Sequence, residues 1–241
     1  MLQKTRGIVL KYHNYSESSI VVRIYTEAFG LQSFIIKGIR AKSSKSKLAL
    51  YQPLTLLELE VNHRGNKNIQ YVKETRVAFA YNTLPFDVVK RSLLFFIDEL
   101  LYRCLREEAP DKPMFEWLFN ALTWLDLSKS NIANYHIVFM LQLSKFLGFY
   151  PKKTPGPQPG YFDLREGSFK QHLPEHPNYI SDKLAQQLAR LLELSFESNH
   201  EMTLTNVERR IILDVLIIYY RLHLPGFGEM KSVEILHAVL N

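Results

Sequence analysis

One cysteine, Cys104, stands in 241 residues, so no disulfide can close within the chain, which fits a reducing compartment. None is needed, because this length with 46% hydrophobic content can bury one large or two modest cores without a covalent or metal staple. Long apolar runs are missing too. The greasiest stretch, 211–220, is short and interrupted by Asp214, and the first residues lead into a strand-like run with no signal-peptide core, so neither membrane spanning nor export is expected. Glycine-rich nucleotide signatures are absent as well. Gly38 has no second glycine before the lysines that follow, as a phosphate loop would require, and neither G-x-G-x-x-G nor G-x-S-x-G occurs.

Residues able to do metal or acid–base chemistry are scattered. His172 and His176 have a spacing seen in metal ligands, but the lone cysteine lies far upstream and no other His or Cys flanks them, so no metal site and no cofactor are expected. Glu107, Glu108 and Asp111 crowd before Pro113, where they read as a solvated helix terminus. A metal-dependent nuclease is the reading they would serve, and it ranks last. No catalytic residue is assigned.

What the chain has in quantity is positive charge at one end. Residues 1–82 hold 13 Lys and Arg against 5 Asp and Glu, whereas 83–241 hold 17 against 19. The surplus peaks in 37–47, where Lys37, Arg40, Lys42, Lys45 and Lys47 stand with no carboxylate among them. Phosphate contacts are electrostatic and favour long cationic side chains on a surface loop, so this end is expected to meet nucleic acid. Lys11, Arg23, Lys73 and Arg76 are the strand cations expected to join the interface. Tyr12, Tyr15, Tyr25, Phe34 and Tyr71 are candidate stacking platforms for unpaired bases, although core packing competes for each. No basic amphipathic helix supports a membrane-surface role.

Residues 4–12, 18–26, 31–39, 54–64 and 69–80 are rich in Val, Ile, Leu, Tyr and Phe with partial period-two alternation, which predicts five strands in a small closed barrel. The long third connection fits an OB-type barrel, an architecture that binds oligonucleotides across its sheet. From Thr83 the period becomes three to four. Helices are predicted over 85–107, with Pro85 in the first turn, and over 114–127, 131–148, 181–196, 206–223 and 229–240. Thr205 and Glu208 form a capping box, and the helix after it is apolar in most directions, so a central place in the bundle is expected. The stretch 149–180, with six prolines and three glycines, forbids a long helix, though a short hairpin of 161–164 with 167–169 is expected. The fold class is thus α+β, with an OB-fold DNA-binding domain at 1–82 and a helical domain at 83–241, and the short connection at 80–84 implies that the barrel packs on the helices after it. The helix over 131–148 is expected to flank a groove for an acidic–hydrophobic peptide, with His136, Phe139 and Lys145 as partner-binding residues.

The chain resembles the RecO family of bacterial recombination mediators along its full length. The likeness rests on Gly7-Ile8-Val9-Leu10-Lys11, Tyr15-Ser16-Glu17-Ser18-Ser19, Tyr25-Thr26-Glu27 with Gly30, Lys37-Gly38-Ile39-Arg40 and Gln52-Pro53-Leu54. It continues through Leu147-Gly148-Phe149-Tyr150-Pro151, Tyr161-Phe162-Asp163 and Lys231-Ser232-Val233-Glu234-Ile235-Leu236. The resemblance implies a non-enzymatic protein of the cytoplasm and nucleoid. It would bind single- and double-stranded DNA, anneal complementary strands coated with single-stranded-DNA-binding protein by holding that protein's acidic C-terminal tail, and act with RecR, and in some settings RecF, to load RecA. Many members carry a four-cysteine zinc motif after the Leu-Gly helix end. No cysteine occurs there in this chain, so the metal does not carry over. An OB-fold RNA binder with a helical protein-interaction domain is the alternative that composition leaves open.

Overall fold

The computed structural model describes residues 2–39, 45–65, 67–106, 109–153 and 160–240, with backbone alone at 45 and 46. The chain divides into two compact units, Met1–Leu127 and Ser128–Asn241.

In the first unit, β1 (Leu2–Asn14), β2 (Ile20–Thr26), β3 (Gly30–Ile36), β4 (Leu56–Asn62) and β5 (Ile69–Phe79) close into a barrel in the order β1-β2-β3-β5-β4. All pairings are antiparallel except β3 with β5. These are the five strands expected, each placed to within a few residues. A short helix, α1 (Lys45–Ala49), lies between β3 and β4. The basic stretch is therefore not loop throughout: Leu48 and Leu50 pack against the barrel core and draw its end into a helical turn.

One long strand serves two neighbours. β1 pairs with β4 through Leu2 to Ile8 and with β2 from Gly7 onward, and a bulge falls between Val9 and Lys11. At this crossover a Cβ on Gly7 would stand 2.6 Å from Ile24 Cγ2 and 3.0 Å from Leu59 Cδ1, so only glycine lets the strands close. Val22, Ile24, Phe34, Leu57, Leu59 and Val61 fill the interior.

Two helices complete this unit, α2 (Val88–Cys104) and α3 (Lys112–Leu127). α2 starts three residues after Pro85, because the Asp87 carboxylate caps it by accepting from the Lys90 amide at 3.0 Å, while Thr83 to Asp87 form the preceding turn. Buried Asp126 ties the end of α3 to the barrel exit. Its carboxylate accepts from the backbone amides of Asn82 (2.9 Å), Thr83 (2.8 Å) and Leu84 (2.8 Å). Beside it the buried Lys90 ammonium donates to Thr83 Oγ1 and to the Asp126 carbonyl, both at 2.8 Å. Farther along α3, Arg6 of β1 lies over the rings of Phe115 and Phe119, donating to Glu27 at 2.9 Å and also to Glu116.

The second unit is built on α4 (Tyr135–Phe146) and α6 (Asn206–His223), with α5 (Asp182–Leu191) and α7 (Ser232–Val239). The expected capping box is present: Thr205 Oγ1 accepts from the Glu208 amide at 3.2 Å, and the Glu208 carboxylate accepts from the Thr205 amide at 2.9 Å. α6 packs against both α4 and α5, but its apolar residues are not all covered. Ile212, Leu213, Leu216, Tyr219 and Tyr220 face inward, whereas Val207, Ile211, Ile218 and Leu222 are exposed along the opposite stripe, because α4 and α5 pack on one side only. The hairpin of 149–180 forms as β6 (Tyr161–Asp163) with β7 (Ser168–Lys170), and an unforeseen third strand, β8 (Tyr179–Ser181), pairs with the other edge of β6.

Burial alone would raise the Asp126 pKa, but the amides of Asn82, Leu84 and Thr83 and the Thr83 hydroxyl overcome this and hold it below the usual carboxylate range. A depressed folded-state pKa gives stability that is present above the unfolded pKa and is lost as pH falls through the folded value. Asp126→Ala should therefore cost about 3 kcal/mol near neutral pH, since several charge-assisted bonds to backbone disappear. The deficit, read from urea midpoints, should shrink on acidification. A deficit independent of pH would overturn this account.

Candidate nucleic-acid interface

The outward face of β1-β2-β3-β5 is set by register. Lys11 lies opposite Arg23 and Arg23 opposite Ser33; two residues along, His13 meets Val21, Val21 meets Ile35 and Ile35 meets Tyr71. Period-two alternation puts these residues on one side, and all are exposed or half-buried, while Val22, Ile24 and Phe34 point into the core. Beyond β3 the chain turns at Gly38, with φ of +70°, and the Ile39 amide donates to the Ser18 carbonyl at 2.9 Å, which pins the start of the basic stretch to the β1–β2 connection. The Lys37 ammonium then sits 5.4 Å from the ring centroid of Tyr71. Tyr71 and Tyr15 are 48% and 61% exposed, so both rings are open for stacking.

The other three aromatic candidates are committed to packing. Phe34 is core, Tyr12 packs against the core, and Tyr25 lies against Phe115 with its hydroxyl toward the Asp111 carbonyl at 3.4 Å. Among the cations, Lys47 is exposed on α1; Arg40 and Lys42 lie outside the described residues, as does the side chain of Lys45. Lys73 and Arg76 stand on β5 beside carboxylates, Lys73 at 3.6 Å from Glu60 and Arg76 at 2.7 Å from Glu74. A cavity of about 370 Å³ on that side is lined by Glu27, Glu58, Glu60 and Glu74 against Lys4, Arg6 and Arg76, and these carboxylates make it a poorer phosphate surface than the β1-β2-β3 face.

Lys11 and Arg23 meet a partner that sequence reading missed. The ring of Tyr102, on α2, lies 4.6 Å from the Lys11 ammonium and 5.6 Å from the Arg23 guanidinium carbon. One turn earlier Asp98 is half-buried, with its Oδ1 shielded from solvent and lacking a hydrogen-bond partner among the described residues. Burial pushes its carboxyl up to about 7, against the pull of Lys11 and with a contribution from Glu99.

Of the partner-binding candidates in the second unit, His136 and Phe139 are buried inside α4's packing, and Lys145 is exposed, 4.6 Å from the Tyr150 ring. Asp111 caps α3 by accepting from the Met114 amide at 2.9 Å, while Glu107 and Glu108 lie outside the described residues. Zinc does not fit the small sheet. Its cysteines are absent and His172 is exposed; His176 is engaged by the buried Asp163 carboxylate at 3.2 Å, whose other oxygen accepts from the Arg165 and Glu166 amides. No group of three or more His, Cys, Asp or Glu able to hold a metal occurs among the described residues, and no described helix is long and apolar enough to cross a membrane.

A closed five-stranded barrel of this order, with a helix between its third and fourth strands, a basic aromatic-flanked face and helices following it in sequence, defines an OB-barrel protein. The sequence model of the recombination protein O N-terminal region matches residues 1–81, and that of its C-terminal region matches residues 85–232. The chain belongs to the RecO family, a family of DNA repair and recombination proteins. It is similar to the DNA repair protein RecO of Bacteroides fragilis, 38% identical with 98% of each chain covered, and to that of Phocaeicola vulgatus, 37% identical with the same coverage. The RecO of Flavobacterium johnsoniae is 34% identical with 99% of each chain covered.

Two outcomes are expected. Because the folded Asp98 pKa lies above the unfolded value of about 3.9, the folded chain binds one more proton between the two, and stability falls as pH rises from 4 through 7. Asp98→Asn should remove that slope and be more stable at pH 8 by on the order of 2 kcal/mol; parallel pH profiles for the two proteins would refute the assignment. Elemental analysis of untagged protein should find no stoichiometric zinc, and a chelator should leave the melting temperature in place. Tightly held zinc would mean that the reading of the small sheet is wrong.

Proposed function

We propose that this protein is a non-enzymatic recombination mediator of the cytoplasm and nucleoid. In this reading residues 1–82 hold single- and double-stranded DNA, and the later helical region recruits partners. The observation that carries the proposal is the grouping of Lys11, Arg23 and Tyr71 on one barrel face, with Lys37 over Tyr71 and Tyr15 exposed in the β1–β2 connection, in a chain whose two halves both match RecO. Cations track the phosphates of an unpaired strand while exposed rings stack its bases, a sequence-tolerant mode suited to bringing complementary strands together.

From the family resemblance we infer that the protein anneals strands coated with single-stranded-DNA-binding protein, holds that protein's acidic tail on the second unit near Lys145, and acts with RecR, and in some settings RecF, to help load RecA. A carboxylate-rich tail would be attracted to an exposed lysine, and the slightly acidic charge of the helical region disfavours a second extensive DNA surface there.

The test is strand annealing with the cognate single-stranded-DNA-binding protein. If all five cations of 37–47 touch phosphates they supply a log–log salt slope of at most about −3.5, at roughly −0.7 each. Changing Lys42, Lys45 and Lys47 together to Ala should flatten that slope and abolish annealing while tail binding, measured by calorimetry, persists. An unchanged slope would make the stretch a solvated surface, and loss of tail binding in the same variant would refute the division of roles.

A further inference from the structure

We propose that Tyr102, on α2 and outside the barrel, is a positioning residue of the DNA interface that holds Lys11 and Arg23 as a preset phosphate-binding pair. This rests on the reading of the barrel as a DNA binder and extends its footprint onto α2.

The bulge between Val9 and Lys11 re-aims β1 where it meets β2, so Lys11 faces outward directly opposite Arg23. Two cations in register on adjacent strands would repel and splay apart. Here a single ring lies against both, at 4.6 and 5.6 Å, and its negative face offsets the repulsion without neutralising either charge. Among the described residues neither cation forms an ion pair, in contrast to Lys73 and Arg76 on β5. A cation held over a ring keeps N–H groups free to donate, so a phosphate binds to groups whose motion is already restricted, and less ordering cost remains at binding. The same arrangement recurs at the other edge of this face, where Lys37 lies over Tyr71. Three strand spacings of about 4.8 Å separate β5 from β1, so the two pairs bracket a path of roughly 15 Å across the sheet. The ligand class is an unpaired, extended strand, with phosphates at both ends of that path and bases over the half-buried residues between.

The test uses the full chain and a fluorescein-labelled oligothymidylate, titrated at several salt concentrations. Tyr102→Leu, which keeps apolar bulk and loses the ring, should weaken binding about five- to tenfold and reduce the salt slope by about 0.7, one phosphate contact. Tyr102→Phe should recover most of that loss. In a Lys11→Ala/Arg23→Ala background, Tyr102→Leu should have no further effect. If Tyr102→Leu fails to fold, Tyr102→Gln takes its place, since a half-buried position accepts the polar chain. The inference is overturned if Tyr102→Phe is as weak as the Leu variant, or if the ring still matters in the double-Ala background, because packing alone would then be its role. It also fails, with the barrel reading intact, if Lys11→Ala/Arg23→Ala leaves binding unchanged while the Lys42, Lys45 and Lys47 variant is impaired. Should neither variant alter binding, the barrel reading itself falls.

Discussion

The first unit depends on one buried carboxylate. Asp126 sits at the end of α3, yet it satisfies the three consecutive amides where the chain leaves the barrel, and Lys90 completes the junction from α2. Barrel, α2 and α3 are thereby joined at a point where backbone donors would otherwise lack partners. Arg6 makes a second attachment, stacked on Phe115 and Phe119 and bound to Glu27 and Glu116. With both contacts in place α2 has a fixed course beside β1, and a residue at its far end, Tyr102, comes to lie over two barrel cations. This is why the compact unit runs to Leu127, past the 81–85 junction at which the two family sequence models meet.

The barrel separates its charges by face. Lys11 and Arg23 on β1 and β2, and Lys37 just past β3, lie over aromatic rings; around β4, Lys4 and Arg76 stand in register with Glu60 and Glu58, and Lys73 lies beside Glu60. A net positive end thus contains a self-neutralising side and an unneutralised side. Counting Lys and Arg along the sequence gives the first quantity, total charge, but affinity for a polyanion follows the second. Lys73 and Arg76 illustrate the distinction: both are exposed, yet a phosphate would compete with a carboxylate already at hand.

Much of this is legible in the sequence. Period-two alternation and turn residues place all five strands, and three-to-four periodicity places most helices, because those elements have one buried and one solvated side; α4, buried on nearly every side, is placed by the length of its apolar run. Thr205 and Glu208 can be read as a cap from spacing alone. Three features cannot. Pro85 reads as a helix start, but Asp87 offers the stronger cap. α6 reads as central in the bundle, but since Ile211 and Ile218 are as apolar as Ile212 and Leu213, sequence does not show which of its sides stays open. Tyr102 carries no signal at all: a tyrosine near the end of an amphipathic helix reads as core or surface, and its relation to Lys11 and Arg23 exists only through the tertiary contact of α2 with β1.

The small sheet of the second unit shows which contacts the described residues 160–181 use to hold a defined shape. Phe162 packs against Phe169 and Tyr219. Gly167, with φ of +64°, brings the turn so close to Tyr219 that a Cβ would stand 2.5 Å from its hydroxyl. Asp163 then binds the turn from within, accepting from two amides and from His176 Nε2 across the loop, since His176 Nδ1 accepts from the Asn178 amide and leaves the ring proton on Nε2. A zinc site cross-links loops by four directional bonds from thiolates or imidazoles. The aromatic cluster supplies apolar burial and Asp163 supplies direction, so the two tasks that one ion would combine are divided here between a ring packed on α6 and a carboxylate at the end of β6.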